Sequence, residues 1–322
     1  MNGEKIKEIF KDFEKCTLLV IGDLMVDKYI IGKTDRISPE APVPIVEIEE
    51  TFRIMGGSGN VVSNIISLGG NVIPCGVIGD DEDGDFVSSE INKLCKLNKI
   101  IVDGSRSTTT KTRIFSEHQQ MLRVDNESRK PVEQIYRSSI FKFIEEYKYS
   151  YSGVILSDYE KGLLDYDLIQ NIISFCHDCD TPIFVDPKGD YHKYQKADFM
   201  TPNLKELSIM TKMKVNTDSE IYEAGMKLYD DLELNGLIVT RGKDGISVIR
   251  NDGHKMIKLP TMAKEVFDVS GAGDSVIATF ALSYLSGLSM EESAELANLS
   301  AGVVVGKVGT ATATLDEILE IM

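Results

Sequence analysis

The sequence predicts an α/β fold: a mostly parallel central sheet covered by helices on both faces, with a small β lid. Three observations predict it. Short apolar strands alternate with segments of helical spacing, which is the pattern of a sheet buried on both sides. Several of those strands end in Asp, Asn or Thr. Two segments, 29–50 and 108–124, break the rhythm with residue-by-residue alternation.

The first strand is Leu18-Leu19-Val20-Ile21, ending at Gly22-Asp23. Tyr29 to Glu50 then alternates and holds Pro39, Pro42 and Pro44, so it reads as a strand outside the main sheet. Gly56-Gly57-Ser58-Gly59-Asn60 opens a helix through Val61, Val62, Ile65, Ile66 and Leu68, which stops at Gly69-Gly70. Val72 to Gly79 is a further strand, and Thr108 to Val124 a second alternating segment. Later strands are Val154-Ile155-Leu156 before Ser157-Asp158, Ile183-Phe184-Val185 before Asp186-Pro187, and Leu237-Ile238-Val239 before Thr240-Arg241-Gly242. Ligands of open α/β sheets bind beyond the C-terminal strand edge, so these polar ends form one expected site. The alternating segments read as a flap over it, inserted in one domain spanning 1–322.

The most informative stretch is Asp268-Val-Ser-Gly-Ala-Gly-Asp274-Ser. Gly271 and Gly273 leave a backbone a ligand can approach. Val276, Ile277, Phe280, Ala281, Tyr284 and Leu285 follow at helical spacing, so the glycines mark a helix start. Unpaired N–H groups and the helix dipole favour an anion there. Asp274 falls in the first turn, beside that anion hole. A capping turn explains one Asp but not a costly Gly-Ala-Gly. The chemistry expected is phosphoryl transfer, with amides holding the moving charge and Asp274 taking the proton of the attacking hydroxyl. Asn60 and Asn64 share one helix face behind the other glycine-rich start. Asp23 and Asp27 flank the end of the first strand, where carboxylates hold sugar hydroxyls or simply make turns.

Other classes are excluded. The chain has 322 residues with 35 Lys plus Arg against 51 Asp plus Glu, a net charge of −16. That argues against nucleic acid or an anionic membrane as partner, and an anionic substrate then needs a local basic pocket. Met1-Asn2-Gly3-Glu4-Lys5 leads into a mixed-charge segment and not an apolar signal core. No apolar run approaches the ~20 residues of a membrane span, so a soluble cytoplasmic protein is expected. Five scattered cysteines have no framework spacing, and Cys176-His177-Asp178-Cys179 lacks the second ligand pair of a zinc site. Gly302 to Lys307 is one residue short of a P-loop, with Val308 where Ser or Thr should stand. Gly57-Ser58-Gly59 lacks the third glycine of a dinucleotide fingerprint.

Gly56-Gly-Ser-Gly-Asn60 and Asp268-Val-Ser-Gly-Ala-Gly-Asp274 resemble the two signatures of the ribokinase-like (PfkB) carbohydrate kinases, and the resemblance spans essentially the whole chain. Gly22-Asp-Leu-Met-Val-Asp27, Arg36-Ile-Ser-Pro-Glu-Ala-Pro-Val-Pro44, Asp158-Tyr-Glu-Lys-Gly162, Asp186-Pro-Lys-Gly189 and Thr201-Pro-Asn-Leu-Lys-Glu206 are similar to the kinase part of bacterial heptose-7-phosphate kinases of the ADP-heptose pathway. Bifunctional members carry a cytidylyltransferase-like domain after the kinase; the sequence ends at Met322, so a stand-alone kinase is the expectation.

The resemblance implies a β lid shared across a homodimer, with ATP and Mg2+ as cofactors. It implies Asp274 as catalytic base and Gly271, Ala272 and Gly273 as anion hole. Asn203 and Glu206 match the motif that organises magnesium and phosphate; Thr240, Gly242 and Gly245 match the nucleotide loop. Asp23, Asp27, Gly57 and Asn60 match sugar-binding positions, and Asp268 stands where relatives support a monovalent cation such as K+. Ser270 replaces a common Thr and keeps a hydroxyl. A sugar phosphate also brings a remote dianion, which Lys111, Arg113, Arg123, Lys161 or Lys188 could meet. Lys161 and Lys188 are favoured because each follows an Asp at a strand end. A kinase for another sugar or a nucleoside, or a non-catalytic sugar- or nucleotide-binding regulator, are the alternatives.

Overall fold

The computed structural model describes residues 1–117, 119–250, 256–263, 266–307 and 309–322. The chain begins with α1 (Gly3–Phe13), β1 (Thr17–Gly22), β2 (Leu24–Ile37) and β3 (Pro44–Gly57). Next come α2 (Ser58–Ser67), β4 (Asn71–Ile78), α3 (Glu82–Leu94), β5 (Lys99–Val102), β6 (Thr109–Ser116) and β7 (Gln119–Asn126). The middle of the chain forms α4 (Gln134–Glu146), β8 (Gly153–Ser157), α5 (Tyr166–Asp178), β9 (Ile183–Asp186), β10 (Phe199–Met200), α6 (Leu204–Thr211) and α7 (Asp218–Leu232). It closes with β11 (Gly236–Thr240), β12 (Ile246–Ile249), β13 (Met256–Leu259), α8 (Ala272–Leu285), α9 (Met290–Val304) and α10 (Leu315–Ile321).

The large sheet has the order β13-β12-β11-β10-β9-β8-β1-β4-β5. The strands from β11 across to β5 run parallel; β12 pairs antiparallel with β11, and β13 antiparallel with β12. Continuous apolar runs explain this: Leu18 to Ile21 are all essentially inaccessible, as a strand covered on both faces requires. One core packs α1, α2, α8 and α9 on one face; the other packs α4, α5 and α7 on the opposite face. Phe184 and Phe199 of the sheet meet Phe280 and Tyr284 of α8, with Phe199 and Tyr284 centroids 4.5 Å apart. Removing Phe280 would cost about 3–5 kcal/mol by the usual large-to-small scale.

Strand order reverses direction between β1 and β8. The chain leaves β1 toward β4 and β5 on one side, then returns to build β8 and its successors on the other. A crevice opens at such a switch point, beyond the carboxyl ends of the two strands. Those ends are Gly22-Asp23 and Ser157-Asp158, joined by a bond from the Asp23 amide to the Ser157 carbonyl of 3.2 Å.

The flap is a four-stranded sheet of order β3-β2-β6-β7. The segment expected as one strand over 29–50 is two longer ones. Pro39 and Pro42 have no amide to pair, and the chain turns between β2 and β3 where they stand. The 108–124 segment likewise divides into β6 and β7; His118 between them lies outside the described residues. Asp27, expected beside the end of the first strand, sits instead within β2, on the lid. Cys176 is buried on α5 and Cys179 caps its end, and all five cysteines are free. The rejected Gly302–Lys307 run straddles the end of α9, and Val308 is outside the described residues. Among the described residues no helix is long and apolar enough to cross a membrane.

Candidate active site

Two helices start at glycines and point at one another's first turn. Gly271 caps α8 at φ 79°, ψ 0°, a left-handed conformation that glycine adopts without strain. A Cβ there would lie 2.6 Å from Nδ2 of Asn60. Gly57 caps α2 at φ 56°, and a Cβ there would lie 2.5 Å from the Asp23 carbonyl. Neither cap offers a side chain to the first-turn amides. Among the described residues the amides of Gly273 and Asp274 meet no acceptor, so α8 presents free N–H groups to the cleft.

Asp274 is buried between these helix starts. Asn60 Nδ2 donates to its Oδ2 at 2.7 Å, and the Tyr159 hydroxyl donates to its Oδ1 at 2.5 Å. Burial pushes the carboxyl up to about 6, although the Tyr159 and Asn60 hydrogen bonds favour the charged form. Burial and the Asp274 charge push the Tyr159 phenol far up, so it remains the donor. A carboxylate near 6 is ionised at neutral pH and still basic enough to take a proton.

The end expected to hold the acceptor is built on Asp23 and Asp27, both nearly inaccessible. Oδ2 of Asp23 accepts from the backbone amides of Tyr159 (2.9 Å) and Lys161 (3.0 Å), which ties the 158–162 turn to β1. Burial, then the nearby Asp158 charge, raise Asp23 to about 6. Asp27 is ion-paired with Arg113 of β6 and accepts from Oγ1 of Thr310 at 2.8 Å. Lys111, two residues before Arg113, holds its ammonium 5.3 Å from the centroid of the Tyr159 ring.

Four of the five residues expected at the nucleotide, all but Glu206, line a cleft of about 750 Å³. Its walls include Asn203, Thr240, Gly242, Gly245, Ala272 and Gly273, so the expected nucleotide loop and anion hole share one cavity. Gly242 at φ 58° and Gly245 at φ 83° turn the loop after β11 back toward β12. Asn203 and Glu206 form a reciprocal capping box on α6, Glu206 N to Asn203 Oδ1 at 2.9 Å and Asn203 N to Glu206 Oε2 at 3.0 Å. The other Glu206 oxygen accepts from Lys188 Nζ at 2.8 Å. Enclosure, then Asp274 and Glu206, push Asp186 well above the usual carboxylate range.

Among the described residues no three His, Cys, Asp or Glu side chains converge as an all-protein metal cage. Mg2+ does not require one: it keeps several waters and takes one or two carboxylates with the substrate phosphates. The Asp274 and Glu206 charges that raise Asp186 are what a divalent cation would offset. Asp268 accepts from the amides of Ser270 (2.9 Å) and Gly309 (3.1 Å), so it joins two loops at the site's edge.

The structure thus gathers Asp274, Gly271, Asn60, Gly57, Asp23, Asp27 and Arg113 around one point. It separates the two favoured lysines. Lys161 is ion-paired with Glu127 at 2.6 Å and lines a small pocket with Asp23, whereas Lys188 is ion-paired with Glu206 of α6 at 2.8 Å. Following an Asp at a strand end does not give two lysines a common target, because each turn leaves its strand in its own direction. Tyr159, Asp186 and Thr310 were missed. Asp186 and Tyr159 sit at strand ends and carry a weak signal; Thr310 carries none.

Solved structures share the architecture. A ribokinase of Arabidopsis thaliana complexed with ribose and ATP superposes with TM-score 0.73 at 19% identity, covering 95% of this chain and 98% of that one. Phosphofructokinase-2 of Escherichia coli in complex with potassium gives TM-score 0.79 at 17% identity, covering 95% and 97%. In sequence the chain is 40% identical over 306 residues to the bifunctional protein HldE of a Nitratiruptor species, and 42% identical over 307 residues to that of Helicobacter acinonychis. Each match covers 95% of this chain but only 65% and 66% of the relative, so the chain spans about two thirds of their length. Residues 16–317 match the model of the pfkB family carbohydrate kinases, and the chain belongs to that family of ATP-dependent sugar kinases.

Proposed function

We propose that this chain transfers the γ-phosphoryl group of ATP to the anomeric hydroxyl of D-glycero-D-manno-heptose 7-phosphate, giving the 1,7-bisphosphate. The observation that carries the chemistry is Asp274, a buried carboxylate gripped by Asn60 and Tyr159 beside the free amides of α8. Support for the substrate comes from the segments 22–27, 36–44 and 158–162, which resemble heptose-7-phosphate kinases, and from the 40–42% relatives.

In this reading Asp23 and Asp27 orient the sugar so that its anomeric hydroxyl faces Asp274. As the hydroxyl oxygen bonds to the γ-phosphorus, its proton passes to an Asp274 oxygen and the bond to ADP breaks. Most of the gain is positioning and charge stabilisation by the Gly273 and Asp274 amides, since phosphoryl transfer asks little covalent help. Asp186 and Glu206 would hold Mg2+, which offsets triphosphate charge. Asp268 serves a monovalent cation such as K+ by shaping the loops at Ser270 and Gly309, its own oxygens being taken by their amides. The lid pairs with a second copy to form a homodimer, and the reaction belongs to the cytoplasmic supply of ADP-heptose for surface glycans.

The test is ADP release across a panel of sugars, sugar phosphates and nucleosides, with both anomers of heptose 7-phosphate. The heptose 7-phosphate should give the highest kcat/KM; a higher value for another acceptor would replace the substrate reading. Asp274→Asn keeps size and hydrogen bonding but cannot accept the proton, so turnover should fall by roughly 10²–10⁴-fold with ATP affinity little changed. Turnover within a few-fold of wild type would remove Asp274 as base.

A further inference from the structure

The lid brings a row of cations to the acceptor end of the cleft. Side chains alternate along a strand, so Lys111 and Arg113 share one face of β6. The register sets Asp27 and Tyr29 of β2 opposite them on one side, and Asp125 and Arg123 of β7 on the other. Four of the five candidate cations are already paired. Arg113 is bonded to Asp27, Arg123 to Asp125 at 2.9 Å, Lys161 to Glu127 at 2.6 Å and Lys188 to Glu206 at 2.8 Å.

Lys111 differs. Among the described residues no carboxylate lies within ion-pair distance of it, and its ammonium rests over the Tyr159 ring. It is half-buried, and burial draws its ammonium below the usual lysine range; Asp27 opposes this, while Arg113, Lys161 and Arg123 add to it. A ring face satisfies an ammonium only in part: its three N–H donors want oxygen acceptors. Leaving such a cation short of counter-charge in a chain of net charge −16 is costly unless an anion arrives from outside.

The position identifies which anion. Lys111 is absent from the walls of the nucleotide cleft and projects from the lid on the acceptor side. Tyr159 spaces it from the reacting centre: the hydroxyl of that ring is on Asp274, and its face is under Lys111. An acceptor whose hydroxyl is at Asp274 and whose negative charge is several atoms away meets both. A sugar phosphorylated at the end remote from its anomeric centre has that form.

We propose that Lys111 binds the phosphate the acceptor sugar already carries and is the residue that makes the enzyme prefer phosphorylated sugars. This rests on the sugar-phosphate reading above. Lys161 and Lys188 are then structural and nucleotide-side cations, and the binding energy of the remote phosphate is used through Lys111 to hold the reacting hydroxyl in place.

The test measures kcat/KM for heptose 7-phosphate and for unphosphorylated heptose with wild type, Lys111→Gln and Lys111→Arg. Charge-assisted contacts to phosphate are among the stronger hydrogen bonds, so Lys111→Gln should cut the preference for the phosphorylated sugar by about 10–100-fold. Its use of heptose and its KM for ATP should stay within a few-fold of wild type. Lys111→Arg should recover most of the preference. Equal losses on both sugars would place Lys111 at the transferred phosphoryl group or in the fold and overturn the proposal. An unchanged preference in Lys111→Gln would overturn it too, leaving the sugar-phosphate reading in place. Equal use of both sugars by the wild type would remove that reading and this proposal together.

Discussion

Asp274 takes its character from two side chains far away in sequence. Asn60 holds one oxygen and Tyr159 the other, and both bonds favour the ionised form against the burial that raises it to about 6. The sign of a change at Tyr159 follows directly. Tyr159→Phe removes a donor to the carboxylate, so the Asp274 pKa should rise and the acid limb of kcat/KM should move to higher pH. The backbone amide of residue 159 still serves Asp23, the other carboxyl near 6, so a shift reports Asp274. A lower plateau with the limb unmoved would mean that Tyr159 only fills space. Asp274 itself was legible in the sequence, because a carboxylate after Gly-Ala-Gly has few structural excuses. Its partners were not: Tyr159 reaches it only after the strands order themselves, and adjacency of that kind leaves no local pattern.

At the scale of elements, two glycine-started helices do different work at neighbouring positions. Gly271 is needed by conformation: φ is 79° and a Cβ would press on the Asn60 amide that holds Asp274. Gly273 is needed by space alone, since a Cβ there would meet nothing within 4 Å and its φ is not positive. The sequence offered both glycines as room for a ligand; the structure adds a left-handed backbone at Gly271 alone of the two. Gly271→Ala should therefore lose about 1–2 kcal/mol of stability from the left-handed backbone, and activity with it. Gly273→Val should unfold near the wild-type temperature while turnover collapses, because its side chain occupies the room of the phosphoryl group. A folded, fully active Gly273→Val, measured by thermal unfolding and ADP release, would remove the anion hole from this loop. Strand positions were readable because buried parallel strands are apolar throughout, as from Leu18 to Ile21. The lid was readable as alternation, but its division into strands was not, since the turn depends on which amides find partners.

Across the whole molecule the lid stands out as a sheet with little cover. Every residue of β7 is exposed, and Ile37, Ile48 and Leu122 are 70%, 62% and 55% accessible. Scattered apolar residues need no explanation, but several on one small sheet with open edges call for a partner. Under the homodimer reading, Ile48→Glu with Leu122→Glu should shift sedimentation from dimer to monomer while far-UV circular dichroism stays unchanged. A wild type that sediments as a monomer would end that reading. How the lid joins the core has its own consequence. β2 leaves the sheet at Asp23-Leu24 and β3 returns at Gly57-Ser58, so the pivots of the lid are also the contacts proposed for the acceptor. Those pivots are fixed before any acceptor arrives: the Ser58 amide donates to the Asp23 carbonyl at 3.1 Å and the Asp23 amide to that of Ser157 at 3.2 Å. Under the proposed function an acceptor therefore meets a lid base that the fold has set in advance, and a change at Asp23 would disturb lid attachment and sugar binding together.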